Sequence, residues 1–144
     1  MANNYVKFSE VLENLTQEER DWINAQLRTE VPEEYDPVLY DLIEGEEHFP
    51  SFEWSFDSER SGARSLWLYA SEVGEPQHVA LFVQAFLKKF RPNGFFGFSY
   101  AETCSKPRIG EFGGGAVAVT AEYIRYEHTQ SWLWEQRKIF EAEH

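Results

Sequence analysis

Apolar positions repeat with two periods along the chain, and the changes of period outline its elements. Phe8, Val11, Leu12 and Leu15 follow helical spacing, with Ser9 placed to accept the first free amide hydrogens, which predicts a short helix. Thr16-Gln-Glu-Glu19 then reads as a capping box that launches a helix with Trp22, Ile23 and Leu27 on one face, which gives two short helices or one kinked one. Asp36-Pro37 and Gly45 bracket Val38, Leu39, Leu42 and Ile43, the pattern of a two-turn helix with a start and a stop.

Beyond residue 50 the period falls to two. Phe52, Trp54 and Phe56 alternate with Ser51, Glu53, Ser55 and Asp57, and Leu66, Leu68 and Ala70 alternate with Trp67, Tyr69 and Ser71. A hairpin follows from this, its second strand the more central because both its faces are apolar or aromatic. Val79, Phe82, Val83, Phe86, Leu87 and Phe90 recur at three- and four-residue steps between Glu75-Pro76 and Arg91-Pro92, which predicts the core helix. Its first turn holds His78, expected at the surface. Phe96, Phe98 and Tyr100 predict a strand after the Pro92-Asn93-Gly94 turn, Ala116–Thr120 another, and Tyr123–Glu127 a last. A terminal helix capped at Thr129 or Ser131 should turn Trp132, Gln136, Ile139 and Phe140 inward and leave Trp134 off that stripe. The expectation is therefore an α+β fold: a single antiparallel sheet of four or five strands with a core helix, N-terminal helices and a C-terminal helix, the helices against one face.

Length and composition fit this picture with one domain over residues 1–144, in which 1–47 form an acidic helical part and 48–144 the α+β core. No apolar run approaches the roughly 18 residues of a membrane span, and no secretory signal opens the chain, so the expected setting is cytoplasmic, without membrane contact. One cysteine and four scattered histidines give neither an internal disulfide nor a metal motif, and no cofactor is expected. The cluster Glu44, Glu46, Glu47 and His48 lacks the spacing of a calcium loop.

Charge changes the picture more. Residues 1–60 carry four cations against sixteen carboxylates, whereas 61–144 carry nine of each, so the whole net charge of −12 belongs to the N-terminal part. Direct nucleic-acid binding of the ordinary basic kind is disfavoured. The implied partner is a protein with a basic surface, met by Glu13, Glu18, Glu19, Glu46 and Glu47.

The second candidate lies between two predicted strands. Cys104 is followed by Lys106 and Arg108, which would favour a thiolate, and Gly113, Gly114 and Gly115 follow them. The cysteine needs a base, and His128 is the nearest in sequence. Phosphate loops run from a strand into a helix, whereas these glycines lead into a strand, so a bulge or tight hairpin accounts for them better than an anion cradle. The alternative function is accordingly a small-molecule or anion binder, or an enzyme, at Cys104, Lys106, Arg108 and the glycines, with Lys88, Lys89 and Arg91 joining the cations in one patch; no residue is assigned a catalytic role. Exposed aromatics such as Trp134 would suit a homodimer.

The runs Phe-Val-Gln-Ala-Phe-Leu-Lys-Lys-Phe-Arg-Pro at 82–92 and Thr-Cys-Ser-Lys-Pro-Arg-Ile-Gly-Glu-Phe-Gly-Gly-Gly-Ala-Val at 103–117 resemble a group of small uncharacterised bacterial proteins, some on mobile elements. The resemblance spans Leu66 to Trp132 and implies a setting rather than an activity. In that setting, small acidic proteins that block host-defence enzymes occur.

Overall fold

A computed structural model describes residues 2–27, 50–57 and 64–144. Its elements are β1 (Asn4–Leu12), α1 (Gln17–Gln26), β2 (Glu53–Asp57), β3 (Ser65–Ala70), α2 (Pro76–Phe90), β4 (Phe95–Cys104), β5 (Gly113–Thr120), β6 (Ile124–His128) and α3 (Thr129–Glu143). The six strands form one sheet in the order β2-β3-β1-β4-β5-β6. All five pairings are antiparallel. The α+β class holds, with six strands instead of four or five.

The additional strand is β1, where the sequence predicts a helix over Phe8 to Leu15. It lies centrally, with Phe8 opposite Ala70 on β3 and Tyr100 on β4. Phe8 and Leu12 are four apart, which suits a helix face and one face of a strand equally well, and Tyr5, Val6 and Phe8 are strand-favouring residues. Two waiting neighbours decide between the readings. Residues 4–12 thus belong to the sheet rather than to a helical N-terminal part. The helix expected at 36–45 lies outside the described residues.

The core forms where α1 and α2 cover one face. Strand residues Leu66, Leu68, Phe96, Phe98, Val117 and Val119 meet Ile23, Val79, Phe82, Val83, Phe86 and Leu87, all buried. Trp22 spans the two helices, its ring 5.8 Å from Phe82 and 5.7 Å from Phe90. The α1 start is the expected capping box: Thr16 accepts from the Glu19 amide at 3.1 Å, and Glu19 accepts from the Thr16 amide at 2.8 Å.

His78 is buried, not at the surface. Its Nδ1 accepts from the Ser51 amide at 3.1 Å, and its Nε2 lies 3.1 Å from Glu75 Oε2. The imidazole thereby ties the entry to β2 to the start of α2.

α3 departs most from expectation. Its N-cap is His128, without a side-chain cap bond, and none of its residues is buried. Trp132, Gln136, Ile139 and Phe140, expected to face inward, are exposed.

Candidate functional site

Register places the chemistry-bearing residues. Tyr100 on β4 pairs with Gly115 on β5, Gly115 pairs with His128 on β6, and Glu102 pairs with Gly113. Side chains opposite one another share a face, so Tyr100, Glu102 and His128 rise on the helix-covered side with only glycine between them. The trough left by the glycines is filled from both sides. His128 Nε2 lies 2.6 Å from Glu102 Oε1, and the Tyr100 ring stands 6.3 Å from the imidazole at 28°.

Each glycine has a packing reason. A Cβ on Gly113 would strike the Gln130 side chain, whose amide donates to the Phe112 carbonyl. On Gly114, at φ +150°, it would strike the Tyr100 carbonyl; on Gly115, the Glu127 carbonyl and the Tyr100 hydroxyl. The amide of Gly114 donates to Thr129 Oγ1 at 3.1 Å, which fastens the start of α3 to β5. The β4–β5 register runs unbroken through 113–115, so no bulge occurs there. The glycines are a close-approach device, and an anion cradle is not what their backbone builds.

Above them lies a cleft of about 550 Å³, lined by Tyr100, the three glycines, His128, Trp132 and Leu133. Burial, with the Glu102 charge second, raises the Tyr100 pKa above its ordinary value. Burial, with Tyr100 second, does the same to Tyr126. Both phenols therefore remain hydrogen-bond donors at neutral pH. A histidine oriented by a carboxylate can take or give a proton, but this group brings no nucleophile with it. Cys104 is elsewhere engaged, its Sγ donating to Glu111 Oε2 at 3.0 Å, and His128 faces Glu102 in its place.

The proposed cation patch separates into two. Lys88, Lys89 and Arg91 lie before β4 begins, while Lys106 and Arg108 lie exposed after it ends. Ten strand residues put about 30 Å between them. Arg91 is also committed: Nε donates to Glu19 Oε2 at 3.0 Å, and Nη2 to the carbonyls of Glu13 and Asn14 at 3.0 and 3.1 Å.

The same bonds sort the acidic candidates. Glu19 is buried against Arg91 and is a structural carboxylate, not part of an acidic surface. Glu13, Glu18 and Asp21 are exposed. Among the described residues Glu13 and Glu18 form no ion pair. Glu46 and Glu47 lie outside the described residues. Two nearby cations turn inward, Arg91 onto Glu19 and Arg20 over the Phe56 ring at 4.8 Å, while Arg64 stays exposed beside the same turn. Local sequence already sets Glu19 apart from Glu18 as the capping-box carboxylate, but its arginine partner, 72 residues on, comes only from the fold.

On the opposite face of the sheet, Gly97, Ser99, Ala116 and Ala118 leave a shallow groove of about 780 Å³ bordered by Phe95 and Arg125. No three His, Cys, Asp or Glu side chains converge for a metal among the described residues. No helix among those residues is long and apolar enough to cross a membrane. No family model, curated protein or solved structure matches the chain.

Proposed function

We propose that the protein is a non-enzymatic binding protein that docks its acidic N-terminal surface on a basic partner protein. The observation that carries this reading is the sorting of charge around the β1–α1 turn: Arg20 and Arg91 point inward onto Phe56 and Glu19, while Glu13, Glu18 and Asp21 point outward. Exposed carboxylates such as Glu13 and Glu18, without an ion pair among the described residues, keep their field for a partner, and such fields steer association. The following stretch of sequence, with Glu46 and Glu47, adds to the same sign.

The catalytic and anion-binding alternative is less favoured, since its cysteine is bonded to a carboxylate, its glycines serve strand contact, and Lys106 and Arg108 stand apart from Lys88, Lys89 and Arg91. In its stronger form the proposal makes the protein an inhibitor of a nucleic-acid-processing or host-defence complex. Its carboxylates would occupy a channel shaped for phosphates, which on duplex DNA carry about one charge per 1.7 Å of axis.

A sensor surface coated with polylysine tests the charge requirement. Neutralising Glu13, Glu18, Asp21, Glu46 and Glu47 together is expected to weaken binding at least about tenfold and to flatten its salt dependence. Neutralising Glu53, Glu72, Glu111, Glu122 and Glu127 instead should change it much less. Equal losses from the two sets would mean that only net charge matters and would remove the proposed surface.

A further inference from the structure

The stripe on α3 is left exposed, with Phe140 stacked on the His144 ring of its own chain at 4.4 Å, and its layout says what fits it. Trp132 is 48%, Leu133 60%, Ile139 53% and Phe140 59% exposed on a helix with no buried residue. Contiguous apolar surface of this kind marks an interaction site. Measured from Gln136 at about 100° per residue, Trp132 and Phe140 fall about 40° to either side, and Leu133 and Ile139 about 60°. The stripe is thus symmetric about Gln136. Its flanks have opposite signs, with Glu135 about 100° to one side and Arg137 about 100° to the other.

We propose that α3 pairs in parallel with α3 of a second copy of the chain, forming an isologous two-fold dimer. In a two-fold pair the same stripe faces itself, so the apolar face of one copy covers that of the other. The opposite-sign flanks choose the direction. In a parallel pair, Glu135 lies beside Arg137 of the second copy on both seams. In an antiparallel pair, Glu135 meets Glu135 and Arg137 meets Arg137. Gln136 sits at the centre, where one polar residue fixes the register of paired helices. Arg137 already reaches Glu141 at 3.0 Å within its own helix, but that pair is solvent-exposed and holds the arginine weakly. Trp132 and Leu133 also line the glycine cleft, so the second copy closes its mouth. Trp134 lies on the far side of the helix with Lys138 over its ring at 3.8 Å, and takes no part.

The dimer is independent of the acidic docking reading, and salt separates the two. Each copy carries a net charge of −12, so self-association is opposed by repulsion and strengthens with salt. Polylysine binding weakens with salt.

Sedimentation velocity on the full chain should show a dimer that Phe140→Glu converts to monomer and Trp134→Ala leaves intact. Phe140 is exposed, so its substitution spares the fold. Glu135→Arg should raise the dissociation constant about tenfold, and adding Arg137→Glu should restore it. Glu143→Cys in a Cys104→Ser background should oxidise to a covalent dimer, because a parallel pair brings the two 143 positions together, whereas an antiparallel pair holds them about 20 Å apart. A chain that remains monomeric at every concentration and salt overturns the proposal. So does a dimer that survives Phe140→Glu, or one that fails to cross-link at position 143.

Discussion

Replacing Gly114 by alanine is expected to destabilise the protein by about 2–4 kcal/mol, through backbone strain and a clash that cannot relax. At φ +150° an L side chain is disfavoured, and the added methyl would enter the space of the Tyr100 carbonyl, a backbone atom held by the β4–β5 ladder. Relief would require β4 and β5 to separate where Glu102 of β4 meets His128 of β6 and the Gly114 amide of β5 anchors Thr129 of α3. Thermal unfolding should therefore fall by roughly 5–12 °C. Gly110→Ala is the control. Gly110 also has positive φ, +80°, but nothing lies within 4 Å of its would-be Cβ, so only strain applies and the cost is about 1 kcal/mol. Equal losses in the two variants would show that close approach is not the reason for the glycine.

What could be read from the sequence follows how local each signal is. The α2 stripe, the Thr16–Glu19 capping box and the alternation on β2 and β3 each lie within a few residues, and all three are found as expected. The β1 segment misleads because Phe8 and Leu12 satisfy two periods, and its strand partners lie 54 to 100 residues further along the chain. The glycines were legible as strand geometry, but their neighbours Tyr100, Glu127 and Gln130 become neighbours only through register. For α3 the stripe was legible and its burial was not. Amphipathicity identifies a face that needs a cover; whether the cover is this sheet or another surface depends on where the β6–α3 junction aims the helix.

The two proposed surfaces act together. A two-fold dimer presents two acidic N-terminal faces, and a basic partner with repeated sites would be held by both at once. Linked sites gain an effective concentration that can raise avidity by about 10²–10⁴ where geometry permits. Phe140→Glu should then weaken binding to a repetitive basic surface while leaving each acidic face unchanged.

Glu19 is the remaining position at which one substitution should have a large effect, because one carboxylate closes three structures: the cap of α1, the β1–α1 turn and the end of α2. One oxygen accepts from the Thr16 amide at 2.8 Å and the other from Arg91 Nε at 3.0 Å, while Arg91 holds the Glu13 and Asn14 carbonyls. Glu19→Ala leaves an uncompensated guanidinium and an open cap. With the Arg91 side chain 30% exposed, screening reduces the loss from that of a fully buried pair to about 2–3 kcal/mol, or roughly 5–10 °C in Tm. Burial alone would raise the Glu19 pKa, but the Arg91 hydrogen bond, the Thr16 bonds and the Arg91 charge outweigh it and hold it below its ordinary 4.5. A carboxyl depressed on folding contributes its stability fully above the unfolded value and loses it as pH falls through the folded value. Glu19→Gln should therefore be less stable than the unmodified chain at neutral pH, with the difference narrowing as pH falls below about 4.5. Denaturant titrations from pH 7 down to about 3 measure this directly; a gap that stays constant over that range would show that the carboxylate's charge contributes nothing and that its shape alone holds the turn.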